Sequence, residues 1–456
     1  MAFVYQNLGD RKLALQYYEQ ALNLDANHIL SLQNSAILLK EIGLNMKAIA
    51  LLKRAMRINP NIPEVLQNLA TNQASLGFTE ESIINFRKAI ALEPLNPSHH
   101  HWLNLLLWSI KEESFLASYK SVLDKFPNAF LIKRELAYKL ILADRKVEAE
   151  LILLELVKKE PNNSLNFKLL GNVSRKLRKF NCAIDYHLKA LCLESNNLSL
   201  KEELATSYFS AGLPQKAECI LLDILKQNPI HQGALALKSL VLRVLEKDEY
   251  HELCDYKSLI LYEKLNTPKG FESLDEFNLL LIKTLEPMHI SKKHPLEQSL
   301  TGGTQSIGNL FLQSKKPLKI LKNLLSDKFK EFISSFPVVA NHPVYSRNSQ
   351  QFKDGGSWSV RLNSSGYHRS HFHSHGWFSG PYYVSLPPQI QDTEAKEGWI
   401  KFGEPGIENV YNLEADYLLQ PKEGYMARFP SYFWHGTTAF KSEQTRLVVT
   451  QDVIPF

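Results

Sequence analysis

The chain has 456 residues, more than one hydrophobic core usually serves, so two or more domains are expected. Hydrophobic residues make up 44% and charged residues 22%, an ordinary globular balance, and the positive excess behind the net charge of +6 lies before residue 341, spread along helical repeats rather than clustered with aromatics, which argues against a nucleic-acid partner. Cys182, Cys192, Cys219 and Cys254 form no C-x-x-C pair, which excludes a zinc ribbon or disulfide scaffold; no apolar run approaches a membrane span, and Asp10, Arg11 and Lys12 interrupt any apolar leader, so a cytoplasmic protein with no membrane partner is expected.

Internal repetition dominates the first half. The pairs Leu8-Gly9, Ile42-Gly43 and Leu76-Gly77 recur at 34 residues, as do Ala14 and Ala48, Ala21 and Ala55, and Pro60 and Pro94. Pro127, Pro161 and Pro229 extend the series with one step of 33. Small residues (Ala14, Ala48, Gly171, Ala183, Ala217) alternate with bulky ones (Tyr18, Phe86, Tyr119, Tyr208). Small residues let neighbouring helices approach, and aromatics fill the gaps between them. This pattern resembles the tetratricopeptide repeat family, two antiparallel helices per unit, with about seven units in residues 1–232. In that register Met1 falls inside a first helix, so either the protein starts upstream or the first helix is a short cap. The triplet His99-His100-His101 has no partner cluster and reads as packing or solvated side chains.

Residues 233–340 lose the period and form a helical connector. Apolar spacing predicts helices over Leu235–Leu245, Leu274–Leu285 and Leu318–Phe336, with the Gly- and Ser-rich stretch 294–306 as a loop between the last two. Gly302-Gly303-Thr304 lacks the lysine of a phosphate loop and reads as a turn. After about residue 340, short β-branched and aromatic segments appear at 358–362, 368–375, 381–387, 398–405, 425–431 and 445–453, punctuated by Gly and Pro. Residues 341–456 therefore read as an all-β jelly roll, with Lys422-Glu423-Gly424 as a hairpin turn.

Chemistry concentrates in this last segment. On a strand, His371, His373 and His375 share a face, and imidazoles at i and i+2 can converge on one metal ion. His435 is the candidate third ligand from a distant strand. His375 reads as an outlying or surface group, and His368, of opposite parity, as a loop residue. Such a three-ligand face leaves room for a bidentate co-substrate and dioxygen, as non-haem iron chemistry needs. Arg446, eleven residues after His435, can clamp the far carboxylate of a dicarboxylate. Tyr382 and Tyr383 point to opposite faces, so at most one lines the pocket; Tyr383 is taken as the co-substrate contact, and Trp434 as pocket wall.

The stretches SGYHRSHFHSHGWFSGPYYVSLP, WIKFGEPG and PKEGYMARFPSYFWHGTTAF resemble the 2-oxoglutarate/Fe(II) oxygenase family that often follows tetratricopeptide repeats in bacterial proteins. HPLEQSLTGGTQS resembles the N-terminal part of that family, so the likeness spans about 290–456. It implies a multidomain α + β protein: a helical repeat superhelix followed by a double-stranded β-helix (jelly roll) with N-terminal helices. It implies Fe(II) on His371, His373 and His435, 2-oxoglutarate on Arg446, and a dioxygenase whose usual product is a hydroxylated substrate. The superfamily motif is H-x-D or H-x-E, and here His373 stands at the third position. Pro381 stands where a strand aliphatic is expected, at a strand start or edge, and Val448 where some relatives have Ser. A cupin-type metalloprotein not using 2-oxoglutarate, or a repeat scaffold with an inactive β domain, remain open at this point. The repeats suggest a protein or peptide partner in their groove, by analogy of fold.

Overall fold

The computed structural model describes residues 1–456 and divides them into two compact units. The first comprises Met1–Glu135 with Ile290–Leu296 and Ile307–Lys315; the second comprises Leu136–His289, Glu297–Ser306 and Lys316–Phe456.

The first unit consists of helix pairs such as Ile29–Glu41 with Asn45–Ile58 and Pro63–Ser75 with Thr79–Leu92. Ala14, Ala48 and Ala55 are wholly buried at the close approaches, while Tyr18 and Phe86 fill the intervening volume. Residues 292–294 close one end of helix Pro97–Ser109. There Lys292 N donates to Ser109 O (2.8 Å), Trp108 Nε1 donates to His294 O (2.7 Å), and Lys293 Nζ lies 3.2 Å over the Trp108 ring. His99 and His100 are buried; the His100 ring stacks on Tyr119, and its Nε2 donates to Pro94 O at 2.9 Å. These are packing roles.

The turn inside each helix pair requires a left-handed backbone. Positive φ occurs at Gly9, Gly43, Gly77, Lys111, Asp144, Arg178, Gly212 and Glu246, in step with the repeat. Glycine occupies four of these positions and a side chain with a Cβ the other four. Glu246 corrects the expectation that periodicity stops at residue 232. Helix Gln232–Val244 is the first helix of a further unit, and its second helix is cut to the short Glu249–Leu253. The short second helix hides that unit in the sequence: His251 and Glu263 stand where Ala217 and Pro229 mark the preceding unit.

In the second unit, helical repeats accompany two antiparallel sheets. The strands are β1 (Leu261–Lys264), β2 (Leu300–Gln305), β3 (Phe352–His368), β4 (Phe378–Ser385), β5 (Ile400–Phe402), β6 (Tyr417–Leu419), β7 (Tyr425–Pro430), β8 (His435–Thr437) and β9 (Arg446–Pro455). The larger sheet has the order β1-β7-β4-β9-β3-β2 and the smaller β6-β5-β8, a double-stranded β-helix. Helices Leu274–Leu285 and Lys316–Ser334 belong to the same unit. Phe329 packs edge-on against Phe352, Trp377 and Phe378, and the Tyr382 hydroxyl donates to Asn278 Oδ1 at 2.7 Å. Repeat helices bind the β domain by polar contacts as well. Trp434 Nε1 donates to Ala236 O (2.8 Å), Tyr432 Oη to Leu253 O (2.7 Å), and Arg243 Nη1 to Gly403 O and Glu414 O.

Four local expectations need correction. The stretch 294–306 is not all loop: Leu300–Gln305 is an edge strand on β3. Gly302 and Gly303 suit loop and strand alike, but here a Cβ on either would collide with β3 backbone, at Gly366 Cα (2.9 Å) and Arg361 O (2.4 Å). Segment 368–375 is not one strand, because the chain leaves β3 at His368 and reaches β8 only through the single bridge His371↔His435. Lys422–Gly424 makes a turn, with Tyr425 N donating to Lys422 O (3.2 Å), yet it carries the chain from the small sheet to the large one rather than closing a hairpin. Pro381 lies inside a central strand, between β7 and β9. The pairing of β4 with β7 lapses at Gly380 and Pro381, and the buried Arg428 guanidinium fills the gap by donating to Gly380 O, to Ala427 O (3.0 Å) and to Gln451 Oε1 (3.0 Å).

No helix is long and apolar enough to cross a membrane.

The turn positions yield a stability test. Lys111→Gly and Glu246→Gly, at φ 65 and 53, should each stabilise the fold by about 0.5–1 kcal/mol, since Gly adopts this conformation without the Cβ penalty. Gly77→Ala, whose Cβ would meet nothing within 4 Å, should cost about 1 kcal/mol from backbone strain alone. Denaturant midpoints measure all three; a destabilised Glu246→Gly would show that the Glu246 side chain matters more than its backbone.

Candidate metal centre

His371 and His435 exchange backbone hydrogen bonds in both directions, each at 2.9 Å, and His373 N donates to Ser431 O at 2.8 Å. That pairing, rather than a continuous strand, puts the rings together. Ring centroids are 4.3 Å apart for His371 and His435, and 5.2 Å for His373 with either. One nitrogen from each of the three lies within 4.8 Å of the others.

The tautomers follow from the partners. His371 Nδ1 faces Arg369 O, His435 Nδ1 faces Phe433 O, and His373 Nδ1 faces Asp452 Oδ2, each at 2.9 Å. Carbonyls and carboxylates only accept, so each ring carries its proton on Nδ1 and keeps the Nε2 lone pair for something else. Three imidazole nitrogens suit a divalent transition metal. Burial pushes His371 down to about 3, with His373 adding to the effect and the Arg369 carbonyl opposing it. Burial also holds His435 well below the usual range, with His371 and His373 reinforcing it.

The rings face a cavity of about 570 Å³. Alternate residues of β9, Arg446, Val448, Thr450 and Asp452, form one wall. Arg446 is 2% exposed, its Nε has no hydrogen-bond partner, and no carboxylate pairs with it. Burial lowers its pKa, while the Tyr383 phenol, whose ring centroid is 5.6 Å from the guanidinium carbon, works the other way. A buried guanidinium with no anion beside it suits the carboxylate of a ligand.

The residues singled out in the sequence divide accordingly. His371, His373, His435 and Arg446 share the cavity. Tyr383 is fully buried against Arg446 and is not part of the cavity wall. Trp434 also lies outside the wall, with its ring edge-on to Phe372. His375 lines the cavity from an exposed position. His368, expected in a loop, ends β3 instead; its ring stacks near His371 (6.0 Å), and Ser299 Oγ lies 3.2 Å from its Nδ1 and 3.3 Å from His371 Nε2. Sequence reasoning missed Ser299, Trp358 and Asp452. Only Asp452 left a signal there, being in phase with Arg446 at a period of two.

Comparisons with known proteins agree with this layout. Residues 356–452 match the family described as "Putative 2OG-Fe(II) oxygenase", and residues 1–28 match the tetratricopeptide repeat. The chain joins tetratricopeptide repeats to a 2OG-Fe(II) oxygenase-family domain. All four cavity residues named above fall inside the matched oxygenase-family segment. Among solved structures, the chain is similar to the crystal structure of MamA (18% identity, TM-score 0.26), over 43% of this chain and 95% of that one. It is also similar to yeast Tom70 (16% identity, TM-score 0.41), over 54% of each chain. Both likenesses are loose, and the fold rests on the helix pairs and sheets themselves. No curated protein matches the chain.

The site makes a pH prediction for the metal-free protein. An unfolded histidine titrates near 6.5, above the folded value of about 3 for His371. The unfolded chain therefore takes up the proton first. The contribution of His371 to stability is intact above about pH 6.5 and is lost as pH falls toward 3, by at most about 1.4 kcal/mol per pH unit. An NMR titration of the metal-free protein should find this imidazole still neutral at pH 5; protonation near pH 6.5 would contradict the burial argument.

Proposed function

We propose that this protein is an Fe(II)- and 2-oxoglutarate-dependent dioxygenase acting as a hydroxylase. The observation that carries the proposal is Arg446, a buried guanidinium lacking a carboxylate, in one cavity with three imidazoles whose Nε2 lone pairs converge. His371, His373 and His435 would hold Fe(II), and Arg446 would bind the far carboxylate of 2-oxoglutarate. When bound, the iron with 2-oxoglutarate and dioxygen supplies an oxidant able to insert oxygen into a C–H bond, with succinate and CO₂ as coproducts.

The remaining work belongs to the chain. The Nδ1 hydrogen bonds of the three histidines fix ring orientation before any ligand arrives, so little ordering is left to do on binding. Arg446 and the Tyr383 ring behind it orient the dicarboxylate from the opposite end of the β9 wall. Phe429, Ile400 and Val448 line the cavity with apolar surface and exclude water from the reacting region. The tetratricopeptide repeats bring a protein or peptide substrate to the domain in this proposal. When a cell lysate is incubated with the protein, Fe(II) and 2-oxoglutarate, mass spectrometry should find a protein or peptide gaining one oxygen; a free small molecule as the product would refute that part.

A cupin-type metalloprotein is disfavoured by one feature, since such a site has no use for a buried unpaired arginine on the cavity wall. The test is direct. His371→Ala and His435→Ala should each abolish tight Fe(II) binding under anaerobic conditions while the circular dichroism spectrum stays unchanged. Arg446→Ala should keep Fe(II) and weaken 2-oxoglutarate binding by about tenfold or more, as expected for a charge-assisted bond worth roughly 1.5–3 kcal/mol. Iron uptake by wild-type protein without succinate formation from 2-oxoglutarate would favour the cupin alternative.

A further inference from the structure

Three histidines make a neutral ligand set, whereas the H-x-D pattern brings a carboxylate to the metal. The cavity nonetheless contains a carboxylate one hydrogen bond further out. Asp452 projects from β9 on the face that carries Arg446, Val448 and Thr450, and its Oδ2 accepts from His373 Nδ1 at 2.9 Å. His371 and His435 give their Nδ1 protons to backbone carbonyls instead, so His373 alone is backed by a charge. His373 is also the residue at the third position of the motif.

Further observations show that Asp452 is organised for this contact. Its other oxygen, Oδ1, is buried and has no hydrogen-bond partner, so the carboxylate is not shared with other protein donors. The charges of Asp452 and Asp354 partly offset the burial of the Arg428 guanidinium. Trp358 lies nearly parallel to the His373 ring, at 14° and 6.0 Å between centroids, and so limits its tilt. An aspartate that accepts from the far nitrogen of an imidazole fixes the tautomer and makes the near nitrogen a stronger donor.

We infer that Asp452 is the carboxylate of this metal site, acting through His373 as a positioning residue and supplying from β9 the negative charge that the H-x-H sequence lacks. The inference rests on the three histidines forming one metal site. It assigns Asp452 no direct ligation, in keeping with its absence from the group of converging ligand atoms.

Metal titration of the full chain tests it, with Fe(II) under anaerobic conditions and Co(II) as a spectroscopic probe. Asp452→Asn preserves shape and removes the charge. It should weaken Fe(II) binding by about 10- to 100-fold, the range typical for loss of such a supporting group. It should also shift the Co(II) d–d bands, which respond to donor strength and would not move if Asp452 served packing alone. In a His373→Ala background, Asp452→Asn should change Fe(II) affinity by less than about threefold, because the group it acts through is gone. Wild-type affinity in Asp452→Asn with unshifted Co(II) bands, alongside lost binding in His371→Ala, overturns the inference and leaves the metal site standing. Failure of wild-type protein to bind Fe(II) or Co(II) overturns both.

Discussion

The candidate site depends on one small backbone contact. His371 and His435 are 64 positions apart, and the sheets between them run in several directions. The reciprocal N–H···O bonds at 2.9 Å between these two residues join the segment leaving β3 to the edge of β8. Because side chains of directly opposed residues lie close together, that bridge fixes the distance between two of the rings. His373, two residues on, falls on the same side through its own bond to Ser431 O. Had these residues formed a long regular ladder, the rings would be spread along a strand; a single bridge followed by a loop lets them converge. The bridge sits beside the crossing of Phe402, Phe429 and Phe433, so its backbone bonds are shielded from competing water.

How far the sequence could foresee this depended on whether a residue type has one physical use or several. Alanine at a 34-residue interval has one common use, close helix packing, and the repeats were legible from Ala14 and Ala48, with Gly171 at an equivalent site. In the structure, a Cβ on Gly171 would overlap His187 at 2.4 Å. The last unit was hidden because its second helix, Glu249–Leu253, lacks the small residue and the proline that mark the others, with His251 and Glu263 at those positions. The pair Gly302-Gly303 has two uses, in flexible turns and in strands pressed against a neighbour, and composition could not choose between them. Pro381 was misplaced for a different reason. The rule that proline avoids central strands assumes that nothing else can fill the gap in the ladder, and Arg428, distant in sequence, fills it.

The site itself was partly legible. The alternation in HFH and the later His435 pointed to convergent imidazoles because strand geometry leaves them few alternatives. Tyr383 was assigned to the cavity by alternation, and it does keep the phase of Pro381 and of Val448 opposite it on β9, yet its buried ring lies behind the Arg446 guanidinium and outside the cavity wall. Asp452 obeyed alternation from Arg446 but went unnoticed, because an aspartate near a chain end is ordinary unless its partner is known. That partner lies 79 residues away.

The two charges on the β9 wall raise a final question, why Arg446 is not neutralised by Asp452. Asp452 lies six positions after Arg446 along the strand, or about 20 Å at roughly 3.3 Å per residue. At an effective dielectric constant near 20, opposite charges attract by about 0.8 kcal/mol over that distance, against about 4 kcal/mol at contact. Attraction that weak cannot draw the two side chains together against the packing of Val448 and Thr450 between them. Each charge is thus left to a local partner: Asp452 to the His373 N–H, and Arg446 to a tyrosine face that cannot cancel a full charge. A straight strand therefore serves as a spacer that keeps a guanidinium available at one end of the cavity and a carboxylate committed at the other. Shortening that separation by two residues would keep both side chains on the cavity face, yet would bring them near enough for the arginine to compete with His373 for the aspartate.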